Sequence, residues 1–122
     1  MLHIEIVRAN DLKEGHSTPG ITRKAAFQGE NAIVSQTHLA PSAVSGWHHH
    51  GTRRLYGYMV SGRLRLEYGS GGTEAVEVAP GDFFHIPPYL VHRDLNPDKG
   101  RDLVVVNILV GEGPAVVNVE GP

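Results

Sequence analysis

The sequence predicts an all-β domain folded as a sandwich or barrel, on three observations. Apolar and polar residues alternate in short runs, the period of a half-buried strand. Gly and Pro punctuate those runs, with 15 and 8 of them in 122 residues. No stretch sustains the stripe of an amphipathic helix. Strands at such regular spacing close into a sandwich or barrel.

Along the chain, the first thirty residues are the least determined. Gly15-His16-Ser17-Thr18-Pro19-Gly20 reads as loop, and Ile21 to Phe27 as a strand or a short helical turn. Strands are then expected at Ala32 to Leu39, Ser45 to His50, Tyr56 to Ser61, Arg63 to Tyr68, Thr73 to Val78, Asp82 to Ile86, Val91 to Asn96 and Leu103 to Val110. Ser61-Gly62 suits a tight hairpin, and Gly69-Ser70-Gly71-Gly72 a flexible one, because Gly accepts positive φ without steric cost. Pro80-Gly81-Asp82 and Pro87-Pro88 bracket one strand, where proline removes no needed ladder hydrogen bond. Beyond Val110, the segment Val116 to Val119 is expected to add an edge strand or to pair with another subunit. Neither an internal repeat nor a long linker divides the chain, so residues 1–122 are expected to form one domain, with a core barrel at about 31–110.

Composition narrows the chemistry. A formal net charge of -2 gives no electrostatic reason for a nucleic-acid or anionic-membrane partner, so a small molecule is the expected ligand. There is no cysteine, which excludes disulfides, thiolate metal sites and thiol catalysis and leaves nitrogen and oxygen as metal donors. The opening MLHIEIVRAND carries charges within its first ten residues and lacks a long apolar run, which makes a cytoplasmic location the expectation.

The chemistry-bearing feature is His48-His49-His50, answered forty-two positions later by His92. Alternate residues of a strand share a face, so His48 and His50 point one way and His49 the other. With His92 they would make a three-imidazole site for a transition metal with open positions. The competing account, surface histidines or a purification tag, fits poorly with a triplet that is internal and preceded by Trp47.

These residues carry a family resemblance. One cupin signature runs Gly, five residues, His-x-His, three or four residues, Glu, six residues, Gly; here it reads Ser42, His48, His50, Arg54 or Leu55, and Gly62. The other runs Gly, five residues, Pro-x-Gly, two residues, His, three residues, Asn, and here reads Gly81, Pro87, Tyr89, His92 and Asn96. The chain thus resembles the cupins, which implies a double-stranded β-helix, or jelly-roll, barrel and metal ligands at His48, His50 and His92. Two glycines of the signatures are replaced, by Ser42 and Tyr89.

A third departure bears on function, because neither Arg54 nor Leu55 can replace the metal-binding Glu. The chain is similar in this to cupins that hold iron with three histidines, among them the cysteine and β-diketone-cleaving dioxygenases. That resemblance implies a non-haem dioxygenase using a divalent transition metal, Fe(II) before zinc, nickel, copper or manganese. Losing the carboxylate leaves the cation its full charge and favours a bidentate anionic substrate such as an enolate or carboxylate. The alternatives are a non-catalytic ligand-binding module and an isomerase or epimerase, which would want a general base. A competing fourth ligand is Glu67.

Other residues have plainer roles in prospect. His49 is expected to face outward or into a subunit contact, and His85 to be a packed or hydrogen-bonded structural residue. His3, His16 and His38 carry no spacing signal. Arg53 and Arg54 are either an anion clamp or exposed loop cations. Tyr58, Met59, Leu66 and Phe84 are expected to line the barrel, Asn96 to tie down the loop after His92, and Asp82 to cap its turn. No Glu or Asp stands at a motif position in the expected pocket, which leaves His49, His85, Tyr56, Tyr89 or water for proton transfer. A homodimer is expected through Leu2, Ile4, Ile6 and Leu103 to Val110.

Overall fold

The computed structural model describes residues 2–15 and 17–122, so His16 of the expected loop lies outside the described residues. The chain forms strands β1 Lys13–Glu14, β2 Ile21–Gln28, β3 Ala32–Leu39, β4 His48–His49, β5 Arg54–Ser61, β6 Leu64–Tyr68, β7 Glu74–Val78, β8 Phe83–Ile86, β9 His92–Leu95, β10 Leu103–Val110 and β11 Val117–Asn118. They make a six-stranded sheet in the order β1-β2-β3-β10-β5-β8 and a five-stranded sheet in the order β11-β4-β9-β6-β7. The fold is all-β, a double-stranded β-helix barrel, and the segment at Ile21 is a strand.

Alternation sets the faces. On β5, Leu55, Gly57 and Met59 are buried while Arg54, Tyr56, Tyr58 and Val60 are exposed. Tyr58 therefore does not line the barrel as expected: it stands on the outer face against Phe83, with ring centroids 4.8 Å apart. Between the sheets pack Ile21, Leu39, Leu55, Met59, Leu64, Leu66, Val78, Ile86, Leu103, Val105 and Leu109, all buried. Each such side chain contributes roughly 1.5–3 kcal/mol by leaving water. Phe84 reaches this core only because Gly57 lies opposite it, since a Cβ there would stand 2.1 Å from the ring.

Ser61-Gly62 is not a hairpin. β5 belongs to the six-stranded sheet and β6 to the five-stranded one, so the turn carries the chain from one wall to the other. Gly62 has φ 79° and packs so tightly that a Cβ would lie 2.7 Å from the Asp102 carbonyl oxygen. The Gly69 to Gly72 hairpin does form, joining the paired β6 and β7. The strand expected at Ser45 to His50 is shorter, because His50 begins a turn closed by the Arg53 amide donating to its carbonyl at 3.1 Å.

The tail pairs within the chain, Val117 with His49 and Asn118 with His48. β10 lies between β3 and β5, so Leu103 to Val110 offers no free strand edge for a partner, as the dimer expectation supposed. Its Val104, Val106, Ile108 and Val110 instead join Tyr56, Tyr58 and Val60 on the sheet's outer face. Asn96 is buried, its Nδ2 donating to the carbonyls of Leu39, Ala40 and Arg101 and its Oδ1 accepting from the Asp98 amide. Asp82 accepts from the Ala79 amide at 2.9 Å and so caps its turn. Among the described residues, no helix is long and apolar enough to cross a membrane.

Ser42 and Tyr89, which replace two signature glycines, are the described non-glycine residues with positive φ, 62° and 63°. The backbone has kept a conformation that a Cβ disfavours by about 1–2 kcal/mol. Ser42→Gly is expected to raise stability by up to about 1 kcal/mol, part of that relief being offset by unfolded-chain entropy. Gly57→Ala is expected to lower it by on the order of 2 kcal/mol, by driving Phe84 from its site. Urea denaturation followed by circular dichroism measures both, and a destabilised Ser42→Gly would contradict the strain.

Candidate metal centre

Antiparallel pairing sets His48 on β4 directly opposite His92 on β9. His50, two residues beyond His48, returns to the same side. The three rings are 5%, 6% and 2% exposed for His48, His50 and His92, and their centroids lie 4.4–5.3 Å apart. One ring nitrogen from each falls within 4.8 Å of the others.

Each ring is oriented by a backbone carbonyl. Nδ1 of His48 donates to Gly46 O at 2.8 Å, Nδ1 of His50 to Ala115 O at 2.8 Å, and Nδ1 of His92 to Leu90 O at 2.9 Å. A carbonyl can only accept, so Nδ1 carries the hydrogen and Nε2 its lone pair in all three. Nε2 of His50 and of His92 are buried with no hydrogen-bond partner among the described residues. Buried acceptors left unpaired cost about 1–3 kcal/mol each, and a divalent cation is the partner that satisfies all three at once. The residues therefore fit a transition metal, which neutral imidazole nitrogen binds well.

Asp94 is the residue that sequence reasoning missed. Its Oδ2 lies 3.9 Å from His48 Nε2 and its Oδ1 3.9 Å from His92 Nε2. Strand parity held the signal, because Asp94 follows His92 by two on the same strand and must share its face. Asp94 stands at no motif position, and it adds a carboxylate to the proton-transfer candidates named from the sequence.

Glu67 has no access to the site. Leu64 and Leu66 fill the inner face of β6, and Glu67 binds Arg65 Nε at 3.0 Å and Arg93 Nη2 at 2.7 Å. Those two cations hold its carboxyl below the usual range, Arg65 foremost. Leu55, at the Glu position of the signature, faces inward and offers no donor. Arg54 is exposed, 3.3 Å from His85, whose ring stacks on Tyr56. Arg53 is buried and donates from Nε to the Gly113 carbonyl at 2.9 Å, which makes it a strap for the tail. His49 turns away as expected, its Nδ1 accepting from the Gly51 amide, and Tyr89 stands beside it. None of His49, His85, Tyr56 and Tyr89 lines the cavity that receives the three Nε2 atoms. Neither His3 nor His38 lines it.

That cavity holds about 190 Å³. Leu39, Leu55, Leu64 and Val105 give it apolar walls, and Arg23, Thr37 and Asn107 face it from the six-stranded sheet. A volume of this size suits a small molecule.

A family model described as "Cupin domain" matches residues 35–109. The chain belongs to the cupins. This cupin's fold is similar to that of KdgF from Halomonas sp., with a TM-score of 0.75, 21% identity, and coverage of 91% of this chain and 96% of that one. The polyketide cyclase RemF from Streptomyces resistomycificus gives a TM-score of 0.80 at 18% identity, over 96% of this chain and 86% of the cyclase. A mutant of Bacillus subtilis oxalate decarboxylase OxdC gives 0.75 at 20% identity, over 92% of this chain and 31% of the decarboxylase. At such identities the likeness is one of fold. No curated protein sequence matches this cupin.

Burial keeps two of the imidazoles, those of His50 and His92, ready for a cation. Burial pushes His50 down to about 4, helped by the neighbouring His92 and His48 and opposed by the Ala115 carbonyl. Burial also lowers His92, while Asp94 pulls it back up. A depressed histidine binds fewer protons folded than unfolded, so stability falls as pH drops from about 6.5 towards about 4. For His50 alone the loss across that window is on the order of 3 kcal/mol. Thermal melts of the metal-free cupin in chelator should show the midpoint falling between pH 7 and pH 4.5, and a flat profile would contradict the burial of neutral rings.

Proposed function

We propose that this cupin is a metal-dependent enzyme acting on a small, enolisable anion, with His48, His50 and His92 as the ligands. The observation that carries this is the convergence of three carbonyl-tethered imidazoles and the Asp94 carboxylate on one cavity. A bound divalent ion, Fe(II) before zinc, nickel, copper or manganese, would supply Lewis acidity at a substrate oxygen and, as iron, a redox centre.

The protein's own groups divide the remaining work. Leu55 withholds a fourth ligand at the signature position, leaving neutral protein donors and open positions for a chelating anion. Asp94, 3.9 Å from two of the ligand nitrogens, is placed to accept a proton at Oδ1 or Oδ2 from a substrate carbon and return it elsewhere. The apolar walls exclude water from the anion so formed. Two outcomes share that start. In a dioxygenase, dioxygen is the oxidant and both its atoms enter the product; in an isomerase or cyclase the proton returns and nothing is oxidised. Asp94 favours the second, because it supplies a general base in the cavity. A third reading is a module that binds metal and ligand without turnover.

We further take residues 1–122 as one domain in a cytoplasmic homodimer. The second copy would cover the outer face bearing Tyr58, Val60, Ile108 and Val110, which are 36–45% exposed, together with Leu2, Ile4 and Ile6. Light scattering at low micromolar concentration should give twice the chain mass; a monomer would sink this part.

The metal ligands are tested by changing each histidine to Ala and measuring metal per chain. We expect at least a tenfold loss of affinity in each variant; unchanged metal content in all three would end the proposal. The reaction is tested by loading with Fe(II) without oxygen and offering β-diketones, 2-oxo acids and phenolic acids. Oxygen uptake identifies a dioxygenase, whereas anaerobic exchange of substrate hydrogen for solvent deuterium, lost in Asp94→Asn, identifies proton transfer alone. Neither response with any class favours the non-catalytic module.

A further inference from the structure

Arg23 brings a cation into the cavity from the strand that the sequence left undecided. On β2 it stands in register with Thr37 of β3, which in turn faces Val105 of β10. Thr37 and Val105 are buried, so Arg23 shares the inner face of the six-stranded sheet, and it lines the same cavity as the three histidines. The histidines and Asp94 come from, or directly adjoin, strands of the five-stranded sheet. Guanidinium and candidate metal centre thus occupy facing walls.

The neighbours of Arg23 form a polar patch. Asn107 Nδ2 donates to the Thr37 hydroxyl oxygen at 3.2 Å, which leaves the hydroxyl hydrogen of Thr37 to donate in its turn. Ser35, in register with both Ala25 and Asn107, also lines the cavity. A half-buried cation still loses hydration, and burial lowers the Arg23 pKa while Asp94 raises it. Arg23 and Asp94 together sum to zero, and the imidazoles add nothing. A divalent ion therefore brings two uncompensated positive charges into a largely apolar space, and an anionic ligand is what restores balance.

We infer that the substrate carries a carboxylate recognised by Arg23, with Thr37 and Asn107 beside it, while its other oxygens face the three histidines. This rests on the metal-dependent site proposed above and adds the substrate class: a small acid, within about 190 Å³. Arginine's planar fork matches both oxygens of a carboxylate and carries more donors than one acceptor group uses. It selects acids over neutral chelators of the same shape.

The test uses full-length protein loaded with zinc, titrated calorimetrically with malonate and with acetylacetone. Both can chelate through paired oxygens, but only malonate retains carboxylate oxygens for a guanidinium. Arg23→Gln should weaken malonate at least tenfold, leave acetylacetone within threefold, and leave zinc stoichiometry and affinity unchanged. Arg23→Lys, which retains the charge without the fork, should fall between, and carries the same test if Arg23→Gln does not fold. No malonate binding by the wild type, or equal malonate affinity in the folded Arg23 variants, overturns the inference while leaving the metal centre intact. Absence of zinc binding by the wild type instead overturns the metal centre itself, and with it this inference.

Discussion

Three hydrogen bonds, from the Nδ1 of His48, His50 and His92 to the carbonyls of Gly46, Ala115 and Leu90, are the constraint on which the site depends. Each fixes a ring angle and a tautomer together, and so aims a lone pair inward. Two of the carbonyls lie two residues before the histidine they hold, in the segments that lead into β4 and β9. The third comes from the tail, which explains why the chain returns to add β11 beside β4: pairing at Val117 and Asn118 holds Ala115 over His50. Arg53, bonded to Gly113, secures the same segment. The tail, expected as an edge strand or a subunit contact, is an edge strand and part of the site's frame.

The two-sheet architecture then decides what shares the cavity. Because strands cross between walls at turns such as Ser61-Gly62, residues close in sequence separate while distant ones meet. One wall carries imidazole and carboxylate, the other guanidinium, hydroxyl and amide. Polar groups on facing inner surfaces reduce the apolar core of a small barrel, and the remaining core, from Ile21 to Leu109, has to support them. Such an arrangement is expected of a functional cavity rather than of a fold optimised for stability.

Departures from the family signature sort into two kinds. Ser42 and Tyr89 change side chains while the backbone keeps positive φ, so they alter strain and leave geometry alone. Leu55 changes chemistry: it removes a carboxylate from the inner face of β5. Asp94 places a carboxylate on the inner face of β9, nearer two of the histidines than the third. The cavity therefore has its negative charge on a different wall from the one the signature implies.

Local pattern was enough for much of this. Period-two alternation and Gly-Pro punctuation marked the strands, with β3 and β10 at their observed bounds, and the same parity divided the triplet into His48 and His50 inside and His49 outside. Parity would also have placed Asp94 beside His92 and Glu67 outside, since each follows from its own strand. It could not place Arg23 in the cavity, because whether Ile21 to Gln28 is strand or helix depends on β3 being there to accept its ladder. Nor could it separate Arg53 and Arg54, adjacent residues sent one to the interior and one to solvent by the turn at Gly51. By itself the sequence determined most of the strands and, through parity, the inward pair of the histidine triplet. Only tertiary structure decided which charges meet across the cavity, because that depends on register between strands far apart in the chain.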